Sequence, residues 1–286
     1  MAGEYLCGMS GDEFRAWPDK AITLMGMSGV GKTTLSKKLP ECTWFHYSGD
    51  YRIGTRYLNE PILDNIKREA MKVPFLAELL RSDSIYICSN ITTANLDPLS
   101  SFLGKIGNPD LGGIPLEEFK RRQDLHHKAE VRAMYDVAEF MHKARDIYGY
   151  HRFVNDAGGS LCELDEPELI KMLARRTLIV YLKASDDMRD ELIRRALKRP
   201  KPLYYQPDFL DQNLKTYMDE HGLESTDEIT PDDFSRWIFP RLVAHRLPLY
   251  ENIASRYGVT VSAACTEHLK DENDVIDLIA DALDQN

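Results

Sequence analysis

The sequence predicts an α/β fold, a five-stranded parallel sheet wrapped by helices, with a long helical stretch between the second and third strands. Three observations predict it. Short apolar runs alternate with longer amphipathic stretches at the spacing of βαβ units. The first such run, "AITLM", leads into a glycine-rich turn, "GMSGVGKTT" (Gly26 to Thr34), that opens a helix. A later run, "TLIVYLKAS", is almost continuously apolar and β-rich, the pattern of a strand covered on both faces.

Taken in order, "AITLMGMSG" reads as a buried strand running into a turn, and "KTTLSKKLP" as a short helix closed by Pro40. "TWFHYSGD" is the second strand, ending at Gly49-Asp50. From Thr55 to Tyr150 the pattern is mostly helical. Within it, "SDSIYICSNI" fits a short strand or a helix–loop segment equally well. "NPDLGGIP" is a loop, and the stretch beginning "LEEFKRRQDLHHK" is a long helix, with room for one break, capped at Gly149. "HRFVNDAGG" returns to strand character. "DEPELIKMLARR" is a helix with Pro167 in its first turn. "DDMRDELIRRALKR" carries acids at its start and bases in its second half, which suits the helix dipole. "PKPLYYQPDF", with Pro200, Pro202 and Pro207, reads as irregular. More helix follows through "PDDFSRWIFPRLVAHRLPLYENIASRYG", then a last strand, "VTVSAA", and a closing amphipathic helix. The expected layout is an N-terminal extension over residues 1–20 and one domain over 21–286. That domain contains an acceptor-binding insertion at 55–150 and a lid at 198–230.

Bulk properties bound the function. Apolar residues make up 43% and charged residues 29% of the 286, ordinary values for a protein with a real core. The net charge of −10 disfavours nucleic acid or an anionic membrane as partner, since no basic field draws in polyanions. Cys7, Cys42, Cys88, Cys162 and Cys265 are dispersed, with no C-x-x-C pair, which fits free thiols in a reducing cytoplasm. The N-terminus lacks the basic start and apolar core of a secretory signal, and no apolar run reaches spanning length. The expectation is a soluble cytoplasmic protein, with monomer and dimer equally open.

The turn fits G-x-x-x-x-G-K-[ST] as Gly26, Met27, Ser28, Gly29, Val30, Gly31, Lys32 and Thr33, followed by Thr34. Such glycines let backbone N–H groups turn inward around phosphate oxygens, while the following helix adds its positive end. In this pattern Lys32 reaches the β- and γ-phosphates of ATP and the Thr33 hydroxyl binds Mg²⁺.

Three features favour transfer of the terminal phosphate to a small acceptor. The second strand ends in "YSGDYRIGTR", and strand C-termini of a parallel sheet face the ligand crevice. Asp50 there can deprotonate an acceptor hydroxyl, and Arg52 and Arg56 can pair with an anionic group on it. "FVNDAGGSLCEL" ends the next strand. Asp156 can hold Mg²⁺ through water, and Gly158 and Gly159 let substrate lie against backbone. Lastly, Arg189, Arg194, Arg195, Lys198, Arg199 and Lys201 surround the proline-rich loop. A lid lowering arginines onto the transferring phosphate is the functional reading, with Arg195 and Arg199 sharing one helix face.

These residues resemble the small-molecule phosphate-loop kinases of the shikimate, gluconate and adenylylsulfate kinase type. The chain looks like an ATPase-like member with an enlarged acceptor region. The resemblance is carried by "GMSGVGKTTLSKKL", "SGDYR", "DAGG", the arginine-bearing lid and "HRLPLYENIASRYGVTVSA", where Arg246, Pro248 and Tyr250 fit R-x-P-x-Y. It implies a three-layer sandwich with strand order 2-3-1-4-5, ATP as donor, Mg²⁺ as cofactor, and Ala263 to Thr266 beside adenine. It covers about two thirds of the chain. The stretch at 55–150 is far longer than in shikimate kinases, so their acceptor is not carried over.

Other readings compete. "DAGG" and "DLGG" fit the D-x-x-G of a GTPase-like switch, but no N-K-x-D motif accompanies them. A motor ATPase needs an apolar strand ending in Asp-Glu, and "LCELDE" is a poor candidate. A nucleic-acid end kinase would use "EEFKRRQDLHHK", whose mixed charges suit a solvated helix face. His126 and His127, being adjacent, are expected to point to different sides and make a poor metal pair. A module that binds nucleotide without turnover is the non-enzymatic alternative.

Overall fold

The computed structural model describes residues 5–285; the first four residues of the expected N-terminal extension and Asn286 lie outside the described residues. In chain order the elements are α1 (Gly11–Ala16), β1 (Ala21–Met25), α2 (Lys32–Ser36), β2 (Trp44–Ser48), α3 (Gly49–Arg52), α4 (Asn59–Ala70), α5 (Pro74–Arg81), α6 (Asp97–Leu103) and α7 (Leu116–Asp146). They continue with β3 (Arg152–Asp156), α8 (Pro167–Arg176), β4 (Leu178–Lys183), α9 (Asp186–Lys198), α10 (Pro207–His221), α11 (Pro231–Tyr257), β5 (Gly258–Ser262) and α12 (Glu272–Asp284). The α/β class and the all-parallel five-stranded sheet expected from the alternating pattern are both present, with strand order β2-β3-β1-β4-β5.

The chain forms two compact units. The first comprises residues up to Gly49, Glu130–Pro200 and residues from Arg236 onward; the second comprises Asp50–Ala129 and Lys201–Ser235. The sheet belongs to the first. β1 pairs with β3 on one edge and β4 on the other, and all five of its residues are buried. Its one polar side chain, Thr23, meets the Thr177 hydroxyl at 2.7 Å and accepts from Asn155 Nδ2 at 3.2 Å. Without such partners a buried hydroxyl costs about 1–3 kcal/mol.

Helix α11 carries a regular buried series: Ile238, Leu242, Arg246, Tyr250 and Ala254, each four residues from the next. The helix runs through Pro240 and Pro248 without a break, although each proline removes one backbone donor. At the N-terminal side, Ser10 and Glu13 form a capping box for α1. Arg15 then pairs with Asp277 and Asp281 of α12, so much of the extension is fastened to the last helix.

In the second unit, Arg122 is buried and bonded through all three of its nitrogens. It donates to Glu118, to the Phe102 carbonyl and to Asn65 Oδ1, at 2.7 Å each. Gln123 donates to Leu203 O and accepts from Tyr205 N, tying the proline-rich segment to α7. Hydrogen bonding to Arg121, ahead of Arg122, holds the Glu118 carboxyl down at about 2.

Two local expectations left open are resolved and two others change. The long helix α7 is unbroken over its 31 residues. Residues 85–91 have no regular structure, so the helix–loop alternative for "SDSIYICSNI" is the one adopted. Pro207, expected in an irregular run, sits in the first turn of α10, where its missing N–H has no helical partner to lose. His126 and His127 do not point away from each other; both rings stack on Tyr204, at 5.6 and 6.0 Å. One aromatic ring can serve two neighbouring side chains.

Gly258 opens β5 opposite Ile179, and a Cβ there would stand 2.3 Å from the Ile179 carbonyl oxygen. Gly258→Ala is expected to destabilise the fold by about 1–3 kcal/mol through overpacking. A lowered denaturant midpoint with an unchanged slope would report it.

Candidate functional site

The carboxyl ends of the strands share one edge of the sheet, with Leu24 and Ser48 both in register with Asp156 of β3. The glycine-rich turn leaves β1 at this edge. Gly26, Gly29 and Gly31 take φ of 151°, 82° and 110°, conformations that L side chains rarely adopt. Gly31 is the left-handed N-cap of α2. The turn closes on itself through Val30 N donating to Met27 O at 3.2 Å.

Lys32 is buried, and its ammonium donates to Gly26 O at 2.8 Å and Met27 O at 3.2 Å. The cation is thus folded back over the loop, held by neutral carbonyls. An anion entering the loop would offer it a stronger, charge-assisted partner. Thr33 donates its hydroxyl to Asp156 Oδ2 at 2.7 Å. With its proton directed at the carboxylate, the hydroxyl oxygen keeps lone pairs for a cation. The residues expected to share a metal are therefore neighbours in space, though 123 positions apart. The helix after the loop is shorter than the motif suggests, only Lys32–Ser36. Its dipole is correspondingly small, so the loop amides must supply most of the attraction for an anion.

Gly159 packs against this loop. A Cβ on Gly159 would lie 3.1 Å from Ser28 N, so glycine allows the backbones to touch. Gly49, at the end of β2, is covered by Met134, whose Cε would be 2.7 Å from an added Cβ. Beneath the turn, Ser160 donates to the buried carboxylate of Glu130, and the Tyr250 hydroxyl donates to Gly159 O. Arg246 donates twice to Glu163 Oε2, at 2.9 and 2.6 Å, and His245 stands 3.5 Å from Glu163 Oε1. Burial opposes the charge on Arg246, but the Glu163 carboxylate outweighs it and raises the guanidinium pKa.

Sequence reading gave Glu130, Ser160 and Glu163 no role. Their partners are remote in the chain, and only the buried position of Arg246 in an otherwise apolar stripe signals that an acid must come to it. Two further neighbours of the loop also went unseen as such. Leu192 of α9 lies 3.2 Å from where a Gly29 Cβ would stand, and Thr266 Oγ1 lies 3.8 Å from that of Gly31. Thr266 follows β5 and falls within the stretch expected beside adenine.

The other expected site residues have partners of their own. Asp50, Arg52 and Arg56 belong to the second unit, with the Arg52 guanidinium 5.7 Å over the Tyr57 ring. Arg195 and Arg199 are exposed at the end of α9, and Arg195 is 3.6 Å from Glu191. A cleft of about 340 Å³ within the second unit is lined by Ile62, Asn65, Asn95, Asp97, Ser101 and Phe102, among others, with no basic residue. Among the described residues no helix is long and apolar enough to cross a membrane.

No family model, curated protein or solved structure matches the chain. The resemblance to small-molecule kinases therefore rests on the motif residues alone.

Burial pushes the Cys162 thiol, beside Tyr250, up to about 12. At pH 8 its thiolate fraction is about one in ten thousand. Iodoacetamide at pH 8 is expected to label the exposed Cys42, Cys88 and Cys265 and to spare Cys162, with Cys162 labelling rising only toward pH 12. Peptide mass mapping reads both.

Proposed function

We propose that the chain is a phosphate-loop phosphotransferase that moves the γ-phosphate of ATP to a hydroxyl of a small metabolite. The carrying observation is the convergence of the glycine-rich loop, Lys32 and the Thr33–Asp156 pair at the carboxyl ends of adjacent strands β1 and β3. In this reading the amides from Met27 to Thr34 wrap the phosphates, and Lys32 neutralises charge on the β- and γ-groups. Thr33 and Asp156 hold Mg²⁺, directly and through water. Asp50 is the base for the acceptor hydroxyl, and Arg52 orients the acceptor. Gly158 and Gly159 offer backbone to it, and Arg195 or Arg199 closes over the transferring group. The central place of β1, with the strand order β2-β3-β1-β4-β5, supports the three-layer phosphate-loop sandwich that this chemistry uses.

Labelled ATP, incubated with the protein and fractionated metabolite pools, tests the reading. Label is expected to move to one acceptor fraction in a Mg²⁺-dependent way. Lys32→Ala is expected to lower transfer at least about a hundredfold by removing charge stabilisation. Asp50→Ala is expected to lower kcat by about 10²–10⁴, with little change in ATP affinity. A strong preference for GTP, or turnover indifferent to every acceptor pool, would defeat the kinase assignment and favour a switch or an ATPase.

A further inference from the structure

We propose that Tyr250 and Arg246 of α11 are positioning residues for the nucleotide site, acting through the turn that follows β3. The inference rests on the nucleotide-binding reading above, and assigns part of its affinity to residues that touch no nucleotide.

The chain of contacts is short. Ser28 supplies one of the loop amides. Gly159 is pressed against that amide so closely that a Cβ would stand 3.1 Å from its nitrogen. The Gly159 carbonyl accepts from the Tyr250 hydroxyl. Four residues on, Glu163 Oε2 takes both bonds from Arg246, and Glu163 N donates to Ser160 O at 2.8 Å. Tyr250 and Arg246 stand one helical turn apart on the same buried stripe, so one rigid helix grips the turn at two points. The Tyr250 ring is itself stacked on Tyr181 of β4, at 5.3 Å and 19°.

The stripe could be wholly apolar, and replacing a buried ion pair with well-packed apolar side chains is often neutral or stabilising. A buried charge in such a stripe earns its place by placing something, and what it places here is the backbone resting on Ser28. Asp156, the expected metal-site carboxylate, leads into the same turn, so its direction is set by the same grip.

Tyr250→Phe keeps the ring and its stacking while removing only the hydroxyl. Amide exchange on the full chain without nucleotide is the first readout. Exchange is expected to rise about tenfold in peptides covering 26–31 and 157–163 and to stay unchanged in α12. Binding of Mg·ATP is the second, with Kd expected to rise three- to tenfold, as one net hydrogen bond implies. If Tyr250→Phe does not fold, Arg246→Lys, which keeps charge but loses the two-pronged geometry, takes its place with the same expectations. Wild-type exchange at 26–31 in a folded variant would overturn the positioning role, whatever the nucleotide result. Raised exchange with no Mg·ATP binding by the wild-type protein would instead overturn the nucleotide reading and leave the grip itself standing.

Discussion

β1 is hydrogen-bonded on both edges and covered on both faces, and the candidate site hangs from its end. A strand so confined has a fixed register, because a one-residue slip would move every side chain to the opposite face. The loop that follows inherits that precision. Gly26 leaves the sheet where a Cβ would stand 2.8 Å from the Leu182 carbonyl on β4. Lys32 bonds back to Gly26 and Met27, so the loop is closed by its own side chain. Thr33 then reaches Asp156 because β3 runs parallel beside β1 and ends level with it.

Buried polar side chains of the first unit are drawn into small networks. Thr23, Thr177 and Asn155 form one small network in the sheet, and Arg246 with Glu163 a second below the site. Removing one member of a buried ion pair strands the other, a loss of about 3–5 kcal/mol. Arg246 is thus a structural obligation as well as a lever on the turn after β3. The second unit follows the same rule. Arg122 has three partners inside its own unit, and Gln123 fastens the proline-rich segment rather than leaving it to solvent.

Much was legible from local pattern. All five strands, the glycine-rich turn, the capped end of α7 at Gly149 and the acidic start of α9 follow from periodicity, glycine placement and charge order. The pairing of Thr33 with Asp156 follows from strand topology, given parallel neighbours. Of the two points that local pattern misjudged, one was set by a neighbour in sequence and the other by a distant partner. Pro207 suits the first turn of α10 because Gln206 caps that helix, accepting from Phe209 N at 2.9 Å. His126 and His127 converge because Tyr204, far along the chain, presents one ring to both.

The sequence by itself determined the α/β class, the parallel sheet and the glycine-rich loop with its lysine and threonine, because backbone conformation and strand burial are dictated by neighbouring residues. Only the tertiary structure decided that Gly159 rests on Ser28, that Tyr250 and Arg246 grip that turn, and that Glu163 and Glu130 lie buried beneath it. Those contacts join segments up to 131 residues apart, from Ser28 to Gly159. Their strength comes from exclusion of water, which no local pattern records and which exists only once the helices have closed over the sheet.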